Sequence, residues 1–168
     1  MHLSHTRTVD TALSALATAL NALNRLSSSA RFHDETVAAT GVHVTRSGLR
    51  FLSLVADEGP VSGTRLATAL DLSQPTASRT LQSLEAEGLV ARQASTSDGR
   101  VSHYVATARG RHALAQVHAF HVQQLARALA DVDLDRRAHL ADALGELVEH
   151  LRPDTLVRTA PAPDRRTA

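Results

Sequence analysis

Apolar positions step at helical spacing along most of the chain. Leu13, Leu16, Leu20 and Leu23 fall three or four residues apart, and Leu26, Ala30, His33 and Val37 prolong the stripe until Gly41 offers a stop. This predicts a long first helix with a bend at Ser27-Ser28-Ser29. Thr45 is placed to cap a second helix from about Arg46, with Leu49, Leu52 and Val55 inward and an end at Glu58-Gly59-Pro60. Two shorter helices follow, near 64 to 70 and 74 to 87. Alternation then replaces the helical period, and residues 89 to 106 read as a two-stranded flap that turns on Asp98-Gly99. Thr107 can cap another long helix carrying Leu114, Val117, His121, Leu125 and Leu129. Asp133 or Asp135 opens a last helix with Leu140, Leu144, Leu147 and Leu151. Residues 153 to 168, PDTLVRTAPAPDRRTA, hold too little apolar content to pack and read as a flexible tail.

The expected fold class is therefore mainly α with a small β-hairpin. At 168 residues and 43% hydrophobic content the chain suits one domain over 1 to 152. No apolar run approaches the length that crosses a bilayer and no signal stretch opens the chain, so a cytoplasmic protein without membrane contact is expected. The absence of cysteine removes disulfides, thiol nucleophiles and cysteine-ligated metal sites together. There is no nucleotide-binding glycine pattern, and neither a Ser-His-Asp set nor a carboxylate pair can be assembled from spacing. Neither catalysis nor a cofactor is expected.

Charge narrows the partner. The sequence has no lysine, so all 18 strong cations are arginines, planar forks suited to phosphates and guanine edges. Residues 64 to 111 carry six arginines against four acids, whereas residues 131 to 151 carry six acids against two arginines. The middle of the chain is the part that would face a polyanion.

Chemistry concentrates in GTRLATALDLSQPTASRTLQSLEAEGLV, residues 63 to 90. Leu66, Ala67 and Leu70 lie on one side of the first helix, and Asp71-Leu72-Ser73 make a tight connection. Ser73 caps the second helix, whose first turn holds Pro75, where a missing N–H costs nothing. This is helix-turn-helix spacing. Ala77, Leu81 and Leu84 form the buried face of the second helix, leaving Gln74, Thr76, Ser78, Arg79 and Gln82 outward, with Thr64 and Arg65 on the helix before it. Small polar groups and a bidentate donor are what a helix needs to enter a major groove. The flap that follows makes the unit a winged helix. Its tip holds Arg100, which can reach a minor groove, and Asp98, which caps the turn and orients Arg100.

Residues 59 to 110, GPVSGTRLATALDLSQPTASRTLQSLEAEGLVARQASTSDGRVSHYVATARG, resemble the MarR family of winged-helix transcription regulators, and the flanking helices match in order and length over about 10 to 151. The resemblance implies a DNA-binding lobe at about 45 to 107 between dimerisation helices at about 9 to 40 and 108 to 151. It implies a homodimer on a palindromic operator of double-stranded DNA, with the recognition helix in the major groove and the wing in the minor groove. It also implies a repressor released by a small-molecule effector. The family's contact positions fall on Ser73, Gln74, Thr76, Ser78, Arg79, Asp98 and Arg100. Gly99 departs from relatives that often carry a further arginine there, which predicts a less basic wing.

Two readings of the residues stand beside this. The leucines of the outer helices, Leu13, Leu16 and Leu20 at one end and Leu140, Leu144 and Leu147 at the other, exceed what a helical hairpin and flap can cover. Pairing with a second copy would bury them, and packing within the chain is the alternative. Relatives of the fold include zinc sensors, and His33, His43, His118 and His121 are the candidate donors for a metal-responsive regulator. A winged helix used for protein contact is the remaining alternative.

Overall fold

The computed structural model describes residues 3–94 and 102–151, in the order α1 (Leu3–Ser27), α2 (Ala30–Thr40), α3 (Arg46–Glu58), β1 (Val61–Ser62), α4 (Gly63–Ala69), α5 (Gln74–Ala86), β2 (Val90–Ala94), β3 (Ser102–Ala106), α6 (Ala108–Ala128) and α7 (Leu134–Leu151). The chain forms two compact units, one up to Val122 and one from Gln123. The wing tip with Asp98 and Arg100, and the tail from 153 to 168, lie outside the described residues.

Caps account for the helix boundaries in the first unit. The expected bend at the serines is a full break: Ser29 is an extended N-cap that accepts the Phe32 N–H at 3.2 Å, so α2 starts afresh after α1. Thr45 caps α3 through the Gly48 N–H at 3.1 Å. The helices of the helix-turn-helix both end in paired reverse bonds of Schellman type. At the end of α4, Leu72 N–H bonds Ala67 O and Asp71 N–H bonds Thr68 O. At the end of α5, Leu89 N–H bonds Leu84 O and Gly88 N–H bonds Glu85 O. Each motif requires a left-handed residue: Gly88 takes it without strain at φ 70°, while Asp71 takes it at φ 52°, an aspartate being among the side chains that tolerate it best.

The core of this unit runs from Val42 to Val117. Phe51, Leu52 and Val55 of α3 pack with Leu66 and Ala67 of α4, with Ala77, Leu81 and Leu84 of α5, and with Val90 and Ala106 of the sheet. The three predicted inward residues of α5 are each 1% exposed, so its opposite face belongs to solvent. The sheet is antiparallel in the order β1-β3-β2, with Val61 opposite Tyr104 and Arg92 opposite Tyr104 on the other side. The flap is thus a three-stranded sheet: β1, two residues long, escapes a search for alternation.

Thr107 fastens α6 to the exit of α5. Its N–H and hydroxyl both reach Leu89 O, at 3.0 and 3.1 Å, the hydroxyl also reaches Gly88 O at 2.7 Å, and its Oγ1 accepts the Gly110 N–H at 3.0 Å. Gly110 lies so near that carbonyl that an added Cβ would collide with Leu89 O, backbone that cannot swing aside.

In the second unit Asp133 accepts the Arg136 N–H at 2.8 Å and opens α7, and Arg137 holds the preceding turn through Val132 O and Ala130 O. No residue of α7 is buried.

Two glycines should respond in opposite directions. Gly110→Ala should cost about 2 kcal/mol or more in denaturant unfolding, because backbone must move. Gly145→Ala, in mid-helix with nothing within 4 Å of the new methyl, should add about 0.5–1 kcal/mol. A Gly110→Ala variant as stable as the parent would refute the packing described here.

Candidate nucleic-acid interface

α5 presents its polar face because its apolar one is consumed by the core. Ser73, Gln74, Thr76, Ser78, Arg79 and Gln82 are all exposed, as are Thr64 and Arg65 on α4. Ser73 takes the extended N-cap conformation, yet its hydroxyl lies 2.9 Å from Thr76 Oγ1 and caps no helix N–H. The expected side-chain cap is absent because the two hydroxyls satisfy each other. Pro75 in the first turn fixes the backbone there without it.

The cations differ in what already holds them. Arg65 grips Glu58 at the end of α3 with two bonds, Nε to Oε2 at 2.6 Å and Nη2 to Oε1 at 3.1 Å. Its side chain is 65% exposed, so the pair adds little stability but holds the fork in one geometry. Arg92 of β2 donates Nε to Ser102 Oγ across the strands at 2.6 Å. Arg111, counted with the basic middle of the chain, instead donates to Ala106 O at 2.6 Å and secures the start of α6. Arg79 stands in the middle of the exposed face of α5.

Reasoning from sequence passed over two residues of this surface. Ser102 and Tyr104 of β3 join Thr64, Gln74 and Ser78 around a small cleft beside α5. The alternation of residues 102 to 105, SHYV, predicts only a strand, and no local pattern marks which strand face meets α5.

A second cavity, about 440 Å³, lies elsewhere in the first unit among Ser27, Ser28, Phe32, His33, Thr36, Arg46, Ser47, Leu49, Arg50 and His121. One wall is aromatic: Phe32 stacks on His121 with centroids 5.2 Å apart and 27° between planes, and Phe120 is tilted against both. Burial holds the His121 imidazole below the ordinary histidine range, and the neighbouring His118 adds to the effect. The four candidate metal donors do not gather. His33 and His121 share this cavity, His118 is exposed on α6, and His43 lines a different groove with Arg109 and His112. Among the described residues no three histidines or carboxylates are placed to hold one metal ion. No helix among them is long and apolar enough to cross a membrane.

The family model described as MarR family matches residues 44–101. Among solved structures, RV1404 from Mycobacterium tuberculosis is 26% identical, with 84% of this chain and 92% of that chain covered and a TM-score of 0.66. The transcriptional regulator Tm0710 from Thermotoga maritima is 18% identical, with 88% and 96% covered and a TM-score of 0.60. A mutant of S. aureus MepR bound to an oligodeoxyribonucleotide is 15% identical, with 83% and 98% covered and a TM-score of 0.57. No curated protein matches the sequence.

His121 sets a pH dependence of known sign. Folding lowers its proton affinity, so the unfolded chain binds more protons; the stability is whole above the ordinary histidine pKa and is lost as pH falls toward the lowered value. Between about pH 7.5 and about pH 5.5 the melting temperature should fall more steeply for the parent than for His121→Phe, which keeps a ring on Phe32. Equal slopes would remove His121 from the linkage.

Proposed function

We propose that this chain, of the MarR family over residues 44–101 and of the same fold beyond them, regulates transcription as a homodimer on a palindromic DNA site. It is a binding protein and not an enzyme. The observation that carries the reading is the division of α5: Ala77, Leu81 and Leu84 sealed in the core, and Gln74, Thr76, Ser78, Arg79 and Gln82 exposed. The short side chains of Thr76 and Ser78 let the backbone approach base edges, and Arg79 supplies a bidentate donor for guanine or a phosphate. Arg100 at the wing tip would reach the adjacent minor groove.

Exposed leucines support the dimer. In the first unit Leu13, Leu16 and Leu23 are 59%, 43% and 54% exposed, and in the second Leu134, Leu140 and Leu151 are 75%, 45% and 56% exposed. Helices that bury almost nothing within the chain and carry leucine at helical spacing are suited to a second copy, and a twofold dimer implies an inverted repeat. The 440 Å³ cavity fits an effector of the repressor: an aromatic wall for a planar ring, and Arg46 and Arg50 for an anionic group. The metal-responsive alternative lacks a donor set among the described residues, since His33 and His43 line different hollows.

Selection of binding sequences from random duplexes at two salt concentrations, with the mass of the complex measured, tests this reading. The expected product is an inverted repeat bound by two copies, with affinity falling steeply as salt rises. Recovery of no motif would leave a winged helix for protein contact. On the selected site, Arg79→Ala should cost about 1–3 kcal/mol and relax base preference. Arg100→Ala should weaken many sequences alike and reduce the salt slope by about one. Both variants binding as the parent does would reject DNA reading by these residues.

A further inference from the structure

The small cleft beside α5 has a chemistry that base reading does not require. Its volume is about 230 Å³, below the range of pockets for drug-sized ligands, and its floor is Gly63 and Leu81. Thr64, Ser78, Ser102 and Tyr104, all hydroxyl-bearing, and Gln74 line it, and among the described residues no Asp or Glu does. Ser62, also on the rim, already uses its oxygen to accept the Arg65 N–H at 3.2 Å. Ser102 is set differently. Its oxygen accepts Arg92 Nε at 2.6 Å, which leaves its own hydrogen to donate elsewhere and puts a guanidinium directly behind it. Neutral donors backed by one cation, with no acid among the described lining residues, favour an oxyanion carrying several acceptor oxygens. One wall of the cleft is α5 itself, through Gln74 and Ser78, so the oxyanion within reach when α5 lies in a groove is a phosphate of the duplex backbone.

We infer that this cleft seats one backbone phosphate of the bound DNA in each half-site, held by Ser78, Ser102 and Tyr104 with Arg92 behind, and that this seat fixes the register of α5 along the groove. The inference rests on the DNA-binding reading above. It adds Ser102, Tyr104 and Arg92 to the interface as positioning residues. It also predicts a division of labour. Hydroxyl bonds to phosphate carry no sequence information and release no counterion, whereas Arg92 contributes a charge.

Three substitutions probe the seat in different ways. Tyr104→Phe and Ser102→Ala each delete one donor. Gly63→Ala deletes none but narrows the cleft, since the new methyl would lie 3.5 Å from Leu81 Cδ1 and 3.8 Å from Tyr104 Cε2, ordinary contact that leaves the fold intact. Each should weaken binding roughly three- to tenfold on the selected site and on unrelated duplex alike, with an unchanged salt slope and an unchanged melting temperature. Arg92→Gln should lower the slope by about one. A decisive arm replaces single phosphates of the duplex by uncharged methylphosphonate. At one position in each half-site the parent should lose affinity, and Tyr104→Phe should lose no more there than it has already lost on unmodified DNA. Additive losses at every position, or parental affinity in all three variants, would overturn the seat while leaving DNA binding intact. A parent protein that binds no duplex would overturn the functional reading and the seat together. Inorganic phosphate competing with the duplex at constant ionic strength would reassign the cleft to a free oxyanion and also overturn the proposal.

Discussion

The carbonyl of Leu89 is the point on which the lobe depends. It takes the N–H and the hydroxyl of Thr107, and the bare backbone of Gly110 lies against it. Leu89 itself closes the Schellman turn that stops α5 and begins the chain toward β2. One peptide group therefore joins the end of α5, the root of the flap and the start of α6. A buried carbonyl left without donors costs more than the bonds gain, so the junction is all or nothing. The polar face of α5 inherits its direction from this arrangement, since Leu81 and Leu84 can be sealed only while the helix end is pinned.

Local physics was legible before any coordinates. Thr45, Thr107 and Asp133 cap the helices that their positions before apolar stripes announce, and Ala77, Leu81 and Leu84 are buried as their spacing requires. What escaped depends on distant partners. Phe51, fully buried, was not among the inward residues read for α3, because α3 is enclosed on a wider face than the Leu49-Leu52-Val55 line assumes. β1 exists only because β3 comes back to pair with it. The sequence predicts Ser73 as a capping hydroxyl, and in the structure that hydroxyl pairs with Thr76 instead.

The same distinction runs through the site. A helical period shows which side of α5 is wet, so its exposed residues could be named in advance. It does not show that Arg65 is gripped by Glu58 across Pro60, or that Ser102 turns its oxygen to Arg92. Those pairings decide which arginines arrive at a polyanion already oriented. A chain without lysine has every cation in fork form, and here several forks are committed before any partner approaches.

The register of Val61 opposite Tyr104 has a consequence in time. Most of the lobe is built from neighbours in sequence, α4 with α5 and β2 with β3, and such pairs close small loops. The β1–β3 pairing closes a much longer one and must pay its chain entropy before two short residues reward it. The α4–α5 pair would then form early, and the short strand β1 would dock onto β3 later.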